Sequence, residues 1–141
     1  MKAEELKILD KLRVLGGKYG KLKQSCDEYC RYDAICMDNF LIVEIKKRHT
    51  YYEKTMIELD KYSFNTTFAE IHKFVFLYVV EMENSIYIFN ITELKNMNYN
   101  FEWSRKPMPK QTEFNNNNEI AKWVGYINIA DSAQIINYVK E

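Results

Sequence analysis

Within the stretch RYDAICMDNFLIVEIKKRH, residues 31 to 49, three residues have types and spacing suited to chemistry: Asp33, Glu44 and Lys46. Side chains on a strand alternate faces, so Glu44 and Lys46 project from one side while Val43 and Ile45 point the other way, into a core. Asp38 and Asn39 read as a tight turn between two strands. A turn centred there pairs residues whose numbers sum to about 77, which sets Asp33 opposite Glu44. Two neighbouring carboxylates raise each other's pKa unless a cation neutralises them. A hard divalent ion such as Mg²⁺ accepts carboxylate oxygens, backbone carbonyls and water. A lysine beside it can position or deprotonate a metal-bound water, or stabilise negative charge on a phosphate. That set suits phosphodiester hydrolysis. The competing reading is a cross-strand ion pair on a solvated face, worth at most ~1 kcal/mol.

Several elements must hold the trio in place. Residues 3 to 15 repeat Leu6, Ile8, Leu9, Leu12 and Leu15 at helical spacing, and Gly16 and Gly17 end the run. Residues 26 to 37 and the β-branched run 40 to 47 read as the hairpin strands. Residues 53 to 71 read as a second helix, despite the poor helix formers Asn65, Thr66 and Thr67. KFVFLYVVEM and SIYIFNI form two further strands joined at Glu83-Asn84, and ITELKNM a short helix. Residues 104 to 119, with both prolines and four consecutive Asn, read as a loop. Residues 121 to 129 read as a strand, and 132 to 140 as a closing helix capped by Asp131 or Ser132. The order α-β-β-α-β-β predicts an α/β fold, a mixed sheet with helices on its faces.

The 141 residues, 47% hydrophobic, suffice for one domain with a real core. Lys plus Arg equals Asp plus Glu at 20 each, which argues against a large non-specific nucleic-acid surface but leaves room for a local basic patch. The apolar run 74 to 80 is too short to span a bilayer, and the charged, amphipathic N-terminus has no signal-peptide core. A cytoplasmic protein without a membrane segment is expected. Cys26, Cys30 and Cys36 are odd in number and spaced C-x3-C-x5-C, a pattern that fits neither a disulfide framework nor a structural zinc site.

The stretch resembles the PD-(D/E)XK nuclease superfamily, whose signature is an Asp ending one strand and Glu-x-Lys on the next. The matching residues are Asp33 and Glu44-Ile45-Lys46, with Tyr32 where the family name has Pro. The resemblance covers about residues 4 to 91 of a single domain, 1 to 141, and leaves 92 to 141 as a C-terminal elaboration. It implies a restriction-endonuclease-like core and a deoxyribonuclease that uses Mg²⁺ or Mn²⁺. Asp33, Glu44 and the carbonyl of Ile45 would hold the metal, and Lys46 would orient the attacking water. The family often adds a metal-assisting Glu on the first helix. Glu5, followed by Ile8, Leu9 and Leu12, takes that place ahead of its rival Glu4.

Small nucleases of this kind resemble phage endonucleases and archaeal-type Holliday junction resolvases. The resemblance therefore implies DNA as partner, branched DNA as the finer expectation, a homodimer, and host-cell cytoplasm if the source is viral. The alternative is a catalytically inactive nucleic-acid-binding or protein-interaction module of the same fold. Lys47 and Arg48, leaving the Glu44 strand, are candidate phosphate contacts, with a solvated turn as the rival reading. Lys54 and Lys61, seven apart, would share one helix face, with Lys61 the better candidate to point at the site. His49 and His72 read as surface residues, Trp103 and Trp123 as anchors of the C-terminal segment, and RKPMPK, 105 to 110, as a solvated basic loop.

Overall fold

The computed structural model describes residues 1–25, 30–109 and 119–138. Helix α1 spans Ala3–Leu15. Strands β1 (Lys23–Gln24), β2 (Ala34–Cys36), β3 (Leu41–Arg48) and β4 (Lys54–Glu58) follow, then helix α2 (Leu59–His72). Strands β5 (Val75–Met82) and β6 (Ser85–Asn90), helix α3 (Ile91–Asn96), and strands β7 (Ser104–Pro109), β8 (Glu119–Asn128) and β9 (Gln134–Asn137) complete the order. Six strands form one mixed sheet in the order β1-β2-β3-β5-β6-β9, and β4-β8-β7 form a second. Among the described strands only β3 and β5 run parallel, in the register Glu44 to Tyr78 and Lys46 to Val80. A parallel pair needs a crossover, and β4 with α2 supplies it.

Both faces of the central sheet are covered. Ile8, Leu9 and Leu12 of α1 pack on one face with Val43, Ile45, Leu77 and Val79. On the other, Ile42, Phe76, Tyr78 and Val80 meet Ala69 of α2, Ile57 of β4, Ile91 of α3 and Ile127 of β8. Strand β3 is therefore buried on both sides from Leu41 to Ile45, as central parallel strands are. The second sheet is fastened to α2 by rings: Tyr62 meets Phe101 and Trp103, each at 5.0 Å between centroids. A Cβ on Gly125 would sit 2.7 Å from the Trp103 ring, so only glycine admits that ring against β8.

The hairpin register agrees with the sequence, since Ala34 pairs with Val43 and Cys36 with Leu41. Its turn takes four residues, Met37 to Phe40, with Phe40 at φ 55°. Strand β2 is shorter than expected: three residues are strand, residues 30 to 33 are not, and 26 to 29 lie outside the described residues.

Three further expectations are corrected. Residues 54 to 58 are strand rather than the start of the second helix, because Thr55 and Ile57 are buried and pair with Ile127 and Gly125 of β8. Lys54 is thus not on the helix with Lys61; it pairs with Glu102 at 3.4 Å. Residues 104 to 109 are strand rather than loop, and the two prolines sit on the edge strand of the second sheet, where proline is tolerated. Residues 110 to 118 lie outside the described residues. Residues 134 to 137 are strand rather than helix, paired with β6 from Ser85–Asn137 to Ile88–Gln134. For residues 54 to 58 and 134 to 137 pairing with a strand far along the chain overrides the local pattern, whereas residues 104 to 109 pair with the next strand, β8. Among the described residues no helix is long and apolar enough to cross a membrane.

Candidate active site

Asp33 stands immediately before β2. Its N–H donates to the Val43 carbonyl at 2.8 Å, and its Oδ2 accepts the Ile45 N–H at 2.7 Å. The carboxylate is thus locked onto the strand that carries Glu44. Helix α2 grips the segment before it. Buried Asn65 donates from Nδ2 to the Arg31 carbonyl at 3.2 Å, and Arg31 pairs with Asp60 at 3.4 Å.

Glu44 is 2% exposed, so an ion pair on a solvated face does not describe it. The even-numbered side chains of β3 point toward α2, and Lys61 of α2 donates from Nζ to Glu44 Oε1 at 3.3 Å. Glu44 Oε2 is buried with no hydrogen-bond partner among the described residues. Burial first, and then the charge of Asp33, pushes the Glu44 carboxyl up to about 8; Lys61 and Lys46 pull the other way without cancelling this. Asp33 is also raised, by burial, against the opposing Ile45 N–H bond, with the Glu5 charge adding to the rise. Burial works to lower Lys61, yet the charges of Glu44 and Asp33 leave its pKa raised.

A buried carboxylate oxygen without a donor, beside a second carboxylate, is a poor resting arrangement for a protein interior. It is a suitable one for a hard divalent cation, which would replace the proton on Glu44 and satisfy Oε2. The donor set therefore fits Mg²⁺ or Mn²⁺, although two carboxylates are fewer than a protein-only cage requires, and water and phosphate oxygens would complete the shell. Among the described residues no group of three or more His, Cys, Asp or Glu side chains clusters at metal-binding distance.

The other candidate residues divide by face. Lys46 shares the Glu44 side of β3, is partly buried, and its charge acts on both carboxylates. Glu5 is close enough for its charge to act on Asp33, but its Oε1 accepts the Lys2 N–H at 3.2 Å and caps α1. It is not gathered into one cluster with Asp33 and Glu44. Its rival Glu4 lies 3.6 Å from exposed His49. Lys47 points to the opposite face, where its Nζ lies 2.5 Å from Glu81; Lys11 of α1 reaches the same carboxylate at 2.9 Å. Arg48 donates to the Met56 carbonyl at 3.4 Å, joining β3 to β4. No motif in the sequence marks Arg31, Asp60 or Asn65, which hold the Asp33 segment. The one signal is a polar Asn amid poor helix formers on a helix otherwise packed on the sheet.

No protein-family model matches the chain, and no curated protein is similar to it in sequence. Among solved structures it is similar to Hjc, a Holliday junction resolvase from the archaeal hyperthermophile Archaeoglobus fulgidus. The TM-score is 0.54, with 11% identity over 96% of this chain and 92% of that one. At that identity the likeness is one of fold. With its mixed sheet, flanking helices and Asp33–Glu44 hairpin, the chain shares the fold of that resolvase structure.

Proposed function

We propose that the protein is a divalent-metal-dependent DNA endonuclease that hydrolyses phosphodiester bonds, with branched DNA as substrate, acting as a homodimer so that two sites cut two strands. The observation that carries this reading is the buried Asp33–Glu44 pair, whose Glu44 Oε2 has no hydrogen-bond partner among the described residues, faced by Lys61 and Lys46. A surface ion pair would not be buried, and a purely structural one would not leave an oxygen without a donor. The resolvase-like fold supports the choice of branched DNA.

Asp33, Glu44 and the Ile45 carbonyl would hold Mg²⁺ or Mn²⁺, with Glu5 assisting through water. The metal, when bound, neutralises the carboxylates, polarises a phosphate oxygen and lowers the pKa of a bound water. Asp33 is kept in position by the Ile45 N–H. Lys46 orients the attacking water and stabilises charge that develops on the phosphate. Lys61 adds positive charge beside Glu44 and, with Arg48, favours the approach of the DNA backbone. Lys47 serves the fold through Glu81 rather than the DNA.

Plasmid, linear and four-way-junction DNA are incubated with the protein and Mg²⁺ or Mn²⁺, beside Asp33→Ala and Glu44→Ala variants. Cleavage by the wild type alone, strongest on the junction, is the expected result. No cleavage of any substrate, together with no Mn²⁺ binding by calorimetry, overturns the proposal.

A further inference from the structure

The sequence reads Trp123 as an anchor of the C-terminal segment, but its ring is 48% exposed, whereas Trp103 does the anchoring against Phe101, Tyr62 and Gly125. Trp123 lines a pocket of about 380 Å³ together with Lys122 of β8 and Leu59, Asp60 and Ser63 of α2. Directly across the ladder from Trp123 is Arg105 of β7, so the two side chains leave the same face of the second sheet. Arg105 is exposed and has no ion-pair partner among the described residues, whereas Lys122 is held by Glu58 at 2.9 Å. Lys106, the next residue, is exposed and lies 5.0 Å from the Tyr126 ring.

The pocket is linked to the carboxylate pair through two contacts made by neighbouring residues in the first turn of α2. Asp60, which lines it, pairs with Arg31, two residues before Asp33. Lys61, the next residue, bonds Glu44. A half-exposed indole with a cross-strand guanidinium combines an aromatic platform with a cation for the adjoining phosphate. Aromatic platforms of this kind hold unstacked bases regardless of sequence, and cations beside them track the backbone.

We infer that the Trp123 pocket, with Arg105 beside it, is a stacking site for an unpaired DNA base next to the scissile bond. This rests on the nuclease reading, and it gives part of the substrate preference to the β7–β8 ribbon rather than to the carboxylate pair. A fully paired duplex offers no free base face, whereas a branch point, a bulge or a single strand does. Asp60, on the pocket wall, can accept from a base amino group while Arg105 faces the adjoining phosphate.

The test is fluorescence anisotropy with three labelled DNAs in Ca²⁺: a fully paired duplex, the same duplex with a three-base bulge, and a single-stranded oligothymidylate. Trp123→Ala is expected to weaken bulge and single-strand binding about tenfold and duplex binding much less, with Trp123→Phe restoring most of the loss. Arg105→Ala is expected to weaken binding to all three and to flatten the salt dependence by about one phosphate contact. Unchanged thermal melting confirms that these exposed substitutions leave the fold intact. Equal losses on duplex and bulge, no loss with Trp123→Ala, or no binding of single strands by the wild type overturns the inference. Trp123-dependent binding without cleavage would fail the nuclease reading alone; cleavage of bulged DNA unaffected by Trp123→Ala would fail the stacking site alone.

Discussion

Lys61 Nζ lies 3.3 Å from Glu44 Oε1, an ion pair between the first turn of α2 and the centre of β3 in which the carboxylate is 2% exposed. One lysine bond to one oxygen does not compensate the burial of a full carboxylate. Glu44 therefore stays charged only at high pH or with a cation present, and that imbalance is open to measurement.

Stability should fall as pH rises through neutrality. The folded pKa of Glu44 is raised from 4.5 to about 8, so the folded state binds more protons than the unfolded state across that window. The stability this contributes is complete below the unfolded value and is lost as pH approaches 8, with a slope of at most about 1.4 kcal/mol per pH unit. Asp33 acts in the same direction. Glu81, whose pKa is lowered, acts in the opposite one and loses its contribution as pH falls. Glu44→Gln should remove most of the decline, melting above the wild type at pH 8.5 and close to it at pH 5. Equal slopes for the two proteins would contradict the burial argument.

Metal binding should release a proton. At pH 7 Glu44 is largely protonated without metal, so Mn²⁺ should displace up to one proton per site. Calorimetry in two buffers of different ionisation heat measures this. Affinity should rise from pH 6 to 8.5, and Asp33→Ala and Glu44→Ala should each abolish binding. Affinity independent of pH would place the metal elsewhere.

The two lysines on the carboxylate face should separate in kinetics. Lys46→Ala is expected to keep Mn²⁺ binding and lose about 10²-fold in cleavage rate. Lys61→Met is expected to raise the Glu44 pKa further and yet strengthen Mn²⁺ binding, because losing the positive charge beside Glu44 favours a divalent cation more than the single proton it displaces. Normal cutting by Lys46→Ala would remove that lysine from the reaction.

On the opposite face Glu81, 5% exposed, sits between Lys11 and Lys47. Glu81→Ala should destabilise by about 2 kcal/mol, because Lys47 is left half-buried without its partner. Lys47→Ala should cost less, since Lys11 still pairs with Glu81, and it should leave the affinity for duplex DNA within about twofold. A large loss of DNA affinity would return Lys47 to the binding surface.

Gly125→Ala should destabilise by about 1–3 kcal/mol, as the added methyl would meet Trp103 at 2.7 Å and Phe101 at 2.9 Å. A urea melt checks this. No loss would mean that the ring moves freely and that the second sheet is not fastened there.

What short-range periodicity can specify was legible in the residues alone. Helix α1 and its glycine stop, the 34–43 hairpin register, β5 and β6 with their turn at Glu83, and α3 all follow from alternation, helical spacing and turn residues within a few positions. Alternation also set Glu44 and Lys46 on one side of β3, and the hairpin register set Asp33 beside them. Assembly of the chain settled which faces are dry and which distant strands pair. Glu44 is buried because β4, α2 and β8 cover its face, and β4 is a strand because Glu58 meets Val124 far along the chain. The same distance effect made β9 a strand and turned Lys61 to Glu44 and Lys47 to Glu81, while pairing of β7 with the next strand left Trp123 exposed beside Arg105. Contacts between residues remote in sequence leave no local period, so burial and ion-pair choice emerge only when the sheets and helices are assembled.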